Sequence, residues 1–159
     1  MSAFASGIAL IESEPFARNS FFGDGCPIPL YFGDNFWEQV FAHVPEVVPA
    51  FQGKVVMIEA INGDLASEFL TGLGRLKPFS PPEFASVVRG LVCHQPEEGE
   101  EEFLSTDGHR NVFPVRPTEN GCPVTVSVRR LVCDDWRLAV PGPDNLCLGR
   151  GDRRFSLWS

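Results

Sequence analysis

Two aromatic-to-aspartate turns stand ten residues apart, Phe21-Phe22-Gly23-Asp24-Gly25 and Tyr31-Phe32-Gly33-Asp34-Asn35. Were Asp24 and Asp34 held at one end of a hairpin, the two carboxylates would face a cation, an amine or a basic side chain of a partner. The same residues also serve ordinary turns: Gly, Asp and Asn accept the backbone conformations that turns need, and the paired aromatics would anchor the flanking strands. A third carboxylate, Glu59, interrupts the apolar run from Val55 to Ile61. Such a group sits either at a strand's exposed end or in a cavity, where burial would favour its protonated form. Together with Tyr31 and Trp37, these residues define a candidate ligand pocket: Asp24, Tyr31, Asp34, Trp37 and Glu59.

Cys93-His94 and His109 carry the residue types of a thiolate and its base, since a cysteine nucleophile is activated by a neighbouring imidazole. Adjacent residues diverge on a strand or a helix, so Cys93 would need His109 or His43 brought from elsewhere. A buried structural thiol near a helix end is the simpler account. Zinc would have to draw on Cys26, Cys93, His94, His109, Cys122 and Cys133. No Cys-x-x-Cys or His-x-x-x-His pair supplies half of a tetrahedral shell, and no metal or other cofactor is expected. Phosphate-binding loops, dinucleotide fingerprints, nucleophile elbows and His-Glu-x-x-His helices are absent from the sequence too. Arg150-Gly151-Asp152 reads as a charged hairpin turn.

Charge points to a different kind of work. The net charge is −8, and Glu97, Glu98, Glu100, Glu101 and Glu102 contribute five of those negative charges in one short run. Phosphate backbones demand clustered Lys and Arg, so nucleic acid is excluded as an expected partner. An acidic loop instead suits a basic protein surface, where complementary charge speeds and orients docking.

These residues must be positioned by elements that the hydrophobic period reveals. Residues 7–12 and 28–32 read as short strands. Asn35 and Glu38 form a capping-box pattern ahead of an apolar stripe of Phe36, Trp37, Val40, Phe41 and Val44, which predicts a helix stopped by Pro45. Residues 54–61 read as a central strand buried on both faces. Asn62-Gly63-Asp64 opens a second predicted helix with Leu65, Phe69, Leu70 and Leu73 on one side, ended by Gly74. A third begins at Ser80, with Pro81 at its first position and Glu83 closing the box, and continues through Phe84, Val87, Val88 and Leu91.

Residues 95–110 carry the glutamates and read as an exposed loop. Beyond them the period falls to two, with Val124, Val126 and Val128 opposed to Thr125, Ser127 and Arg129. Asp134-Asp135 and residues 149–152 read as hairpin turns, and 111–115 as an edge strand, because Pro114 cannot donate to a ladder. The expectation is an α+β fold in a single domain spanning 1–159. About three helices in 34–93 pack on one face of a mostly antiparallel, curved sheet that ends in a β-meander.

The 43 % apolar content, with fourteen Phe and three Trp, is ample for one aromatic core. No stretch reaches the ~18 apolar residues of a membrane span, and residues 1–14 lack the basic start of a secretion signal. Five cysteines without such a signal read as free thiols in a reducing, cytoplasmic compartment. Three functions fit. The first is a non-enzymatic interaction protein of inhibitor, immunity or adaptor type, using its acidic loop against a basic partner. The second is a small enzyme or ligand-binding domain built on the carboxylate pocket. The third is a subunit of a larger assembly, a homo-oligomer included, which pairs through an edge near Pro114 or the strand ending at Trp158.

Overall fold

In the computed structural model, residues 4–21, 30–32, 34–60, 76–93, 109–130, 136–140 and 151–158 are described. The strands are β1 (Phe4–Ser13), β2 (Phe16–Ala17), β3 (Leu30–Phe32), β4 (Val47–Val48), β5 (Phe51–Ala60), β6 (Leu76–Lys77), β7 (Asn111–Val115), β8 (Val124–Arg130), β9 (Trp136–Ala139) and β10 (Arg153–Trp158). Eight of them form one sheet in the order β1-β5-β10-β7-β8-β9-β3, with β6 also pairing with β10, while β2 and β4 pair separately. The helices are α1 (Asp34–Gln39) and α2 (Pro81–Cys93).

The start of α2 is the feature most directly dictated by sequence. The Ser80 N–H donates to Glu83 Oε1 at 2.9 Å, and the Glu83 N–H donates to Ser80 Oγ at 3.4 Å, a reciprocal box that satisfies two end groups. Phe84, Val87 and Val88 then fall on the buried face, as their spacing predicts. Replacing Ser80 by alanine is expected to lower stability by about 1 kcal/mol, read as a shifted urea midpoint with an unchanged slope.

Register partners share a face of a sheet, so the pairings sort the side chains. The inner face carries Val55, Phe155, Phe113, Val126, Val128 and Leu138, all fully buried. α2 closes over it: Phe84 meets Phe113 edge to face at 5.5 Å, and Gly90 faces Ile11 of β1. The other face holds Val56, Ile58, Val112 and Ser156, also buried. β5 is thus covered on both sides along its middle, as the apolar stretch Val55-Val56-Met57-Ile58 implies.

The expectation of about three helices against one face of a mostly antiparallel sheet is overturned. Among the described residues the fold is mostly strand, with one helix longer than two turns. The sheet is mixed, because β7 runs parallel to β10 and β3 parallel to β9. The second predicted helix lies outside the described residues. The first is cut short: α1 ends at Gln39, Val40 adopts φ −127° and ψ −58°, and a 3-10 turn continues over Phe41–His43. Its apolar stripe still works, since Phe36, Val40, Phe41 and Val44 are all buried. Six residues are too few to hold a helix without packing, so packing decides the local geometry.

The C-terminal strands also depart from a simple meander. β7, β8 and β9 are antiparallel neighbours, but β10 crosses back to lie between β5 and β7. The expected hairpin turn at 149–152 lies partly outside the described residues, and the segment leading into it wholly so. β7 is interior, not an edge. Pro114 is tolerated there because the β10 pairing covers Asn111 and Val112, while the Pro114 carbonyl accepts the Phe79 N–H at 2.9 Å. No helix among the described residues is long and apolar enough to cross a membrane.

Candidate functional site

Of the pocket residues picked from sequence, Asp24 lies outside the described residues, as do His94, Glu97, Glu98, Glu100, Glu101, Glu102 and most of the predicted loop at 95–110. Tyr31 lies on β3 opposite Arg137, and Asp34 and Trp37 follow it in α1. Glu59 is the penultimate residue of β5, paired in register with Ala5 and Arg153. β5 and β3 are five strand spacings apart, about 24 Å along the sheet. The sheet order therefore gathers Tyr31, Asp34 and Trp37 at one edge and places Glu59 near the other.

Cys93 and His109 are also set apart by the fold. Gly90, one turn before Cys93, faces Ile11. His109 precedes the row Ala5-Glu59-Arg153-Asn111, which crosses β1 six residues earlier, roughly 20 Å along the strand.

His109 has a different partner. Its Nδ1 stands 3.7 Å from Oδ1 of the buried Asp152, and the same oxygen accepts the Arg110 backbone N–H at 2.9 Å. The Arg153 N–H donates to the Arg110 carbonyl at 2.9 Å. Asn111, fully buried, donates Nδ2 to the Val128 carbonyl at 3.1 Å. Gly151 holds φ at 95°, and the His109 ring lies where its side chain would be. An imidazole oriented by a carboxylate suits proton transfer in an enzyme. Here the group lies where β7 and β10 enter the sheet side by side, and it ties their lead-ins together.

The surface with the least ordinary chemistry lies at the other end of the sheet order. β1 pairs with β5 on one side, and no further backbone hydrogen bond of β1 appears among the described residues. Ile8 is 62 % exposed and Leu10 59 % exposed, although both are large and apolar. Leu10 pairs with Lys54, and continuing the β5–β10 register by one residue sets Trp158, 38 % exposed, on the far side of that lysine. Ile8, Leu10, Lys54 and Trp158 thus form one patch on a single face, continuous with the open edge. At its polar end lies an open depression of about 610 Å³ lined by Glu12, Ser13, Glu14, Ala50, Phe51 and Gln52, where Gln52 Nε2 donates to Glu12 Oε1 at 3.1 Å.

The edges expected near Pro114 and Trp158 are not open, because β7 and β10 are both interior. The signal for β1 was present: residues 4–13 contain no Lys, Arg or Pro, the residues that usually blunt an exposed edge. Comparison of the chain with known protein families, curated proteins and solved structures finds no match.

Proposed function

We propose that this chain is a protein-interaction module that takes up an extended segment of a partner along β1. The observation carrying this reading is a ten-residue edge strand whose Ile8 and Leu10 are exposed at 62 % and 59 %. An open edge offers a row of unpaired N–H and C=O groups, and strand addition turns that row into main-chain hydrogen bonds. Side chains at alternate positions then supply selectivity, here through Ile8, Leu10 and the neighbouring Trp158. Exposed aromatic and aliphatic groups gathered beside such an edge are characteristic of contact surfaces.

Site-specific photo-crosslinking checks this reading. With a benzophenone side chain at Leu10, the chain in its native cells is expected to give discrete higher-mass adducts on irradiation. The same probe at Thr118, exposed on the β7–β8 connection, should give none. Absence of any Leu10-specific adduct would remove the proposal.

A further inference from the structure

We infer that the segment added to β1 is β1 of a second copy, antiparallel to the first, with a two-fold axis passing through Ala9. This inference rests on the reading of β1 as a docking edge and names its occupant. Two identical antiparallel strands can meet in few registers, and each is defined by the residue on the axis. With Ala9 there, Ile8 of each copy lies opposite Leu10 of the other, so four exposed apolar side chains form two cross-strand pairs. Ser6 then opposes Glu12, Gly7 opposes Ile11, and Ala5 opposes Ser13.

Neighbouring registers are worse on charge and on burial. An axis at Leu10 sets Ile8 against the Glu12 carboxylate, and an axis at Glu12 sets two carboxylates against each other, which is destabilising. An axis at Ile8 leaves Leu10 against Ser6. The Ala9 register alone in this set keeps the bulky pairs together and sets Glu12 opposite an uncharged residue. Glu12 is also the single charged residue in 4–13, so the strand carries no pattern of charge that would select a foreign acidic or basic segment.

The adjoining face agrees with this geometry. In the joined sheet, Trp158, Lys54 and Leu10 of one copy continue into Ile8 of the other, which lies beside the buried Val56. The exposed patch thereby becomes a continuous strip repeated on either side of the axis.

The experiment uses the full chain. Sedimentation between roughly 2 and 200 µM, the range in which a modest interface associates, should show the mass rising from 17.5 kDa to twice that value. Leu10→Lys, at an exposed position and with an unchanged circular dichroism spectrum, should weaken association by roughly tenfold or more. In a background with the five native cysteines replaced by Ser, Ala9→Cys should form a disulfide-linked dimer under mild oxidation. Ser6→Cys should not, because the register sets the two copies of that residue roughly 20 Å apart, beyond the ~7 Å limit for bridging.

Salt gives an independent sign. Two chains of charge −8 repel, so added salt should strengthen self-association, whereas a basic partner would be released by it. Monomer at every concentration, a dimer indifferent to Leu10→Lys, or equal cross-linking from Ser6→Cys would each overturn the inference. Monomer together with Leu10 adducts to a different protein would overturn self-pairing and leave the docking edge standing.

Discussion

Phe113→Ala is expected to lower stability by about 3–5 kcal/mol. The Phe113 ring stacks on Phe155 at 4.7 Å, meets Phe84 edge to face at 5.5 Å and tilts against Phe79 at 5.7 Å. It therefore joins two interior strands, the helix and the segment that enters the helix. All four rings are buried, so truncation opens a cavity with no route for water to fill it favourably. Each aromatic pair adds about 0.5–1.5 kcal/mol beyond burial. Domains of this size hold about 5–15 kcal/mol in all, so the variant should unfold at markedly lower urea while Phe113→Leu retains most of the stability. A loss below about 1 kcal/mol for the alanine variant would show that these rings do not form the core.

Gly151→Ala should cost about 2–4 kcal/mol through two separable causes. A side chain at φ 95° is strained whatever surrounds it, by about 1–2 kcal/mol. In addition, a Cβ built on Gly151 would stand 2.7 Å from His109 Nε2 and 2.8 Å from the two ring carbons beside it, closer than atoms pack. The ring would have to leave Asp152, loosening the lead-ins of β7 and β10 together. A double-mutant cycle separates the causes. In a His109→Ala background the same glycine substitution should cost only the backbone part, and equal costs in both backgrounds would show that the imidazole moves away freely.

Much of this architecture was legible in the chain, and the misses share one physical origin. Ser80, Pro81 and Glu83 announce the start of α2 because the capping box is a local bargain among neighbouring residues. Val126 and Val128 announce β8 for the same reason: period two is a local property. The position of a strand within a sheet is not local. Pro114 suggested an edge on the rule that a missing N–H must face solvent, yet the Phe79 segment runs beside it and uses its carbonyl instead. Phe155 to Trp158 read as a strand, and β10 begins two residues earlier, but nothing in those residues tells that the strand pairs with β5 and β7. Likewise, Tyr31 and Glu59 look like members of one pocket in sequence, while the strand order sets them at different ends of the sheet. The open edge of β1 could have been suspected from the absence of Lys, Arg and Pro, a signal that is negative and easily passed over.

The insertion of β10 between β5 and β7 has a consequence for how the molecule comes into being. Glu59 and Arg153 are paired neighbours, yet 94 residues separate them along the chain. On a translating ribosome, at about 5–20 residues per second, β5 would wait roughly 5–20 s for the neighbour that completes its hydrogen bonding. For that interval a nascent chain presents one unfilled strand border on β5, the one destined for β10, while β1 already claims the other. Chaperone binding during synthesis, or mispairing between chains on one polysome, is accordingly expected to concentrate on the segment 51–60, well before the finished protein has any exposed surface of that kind there.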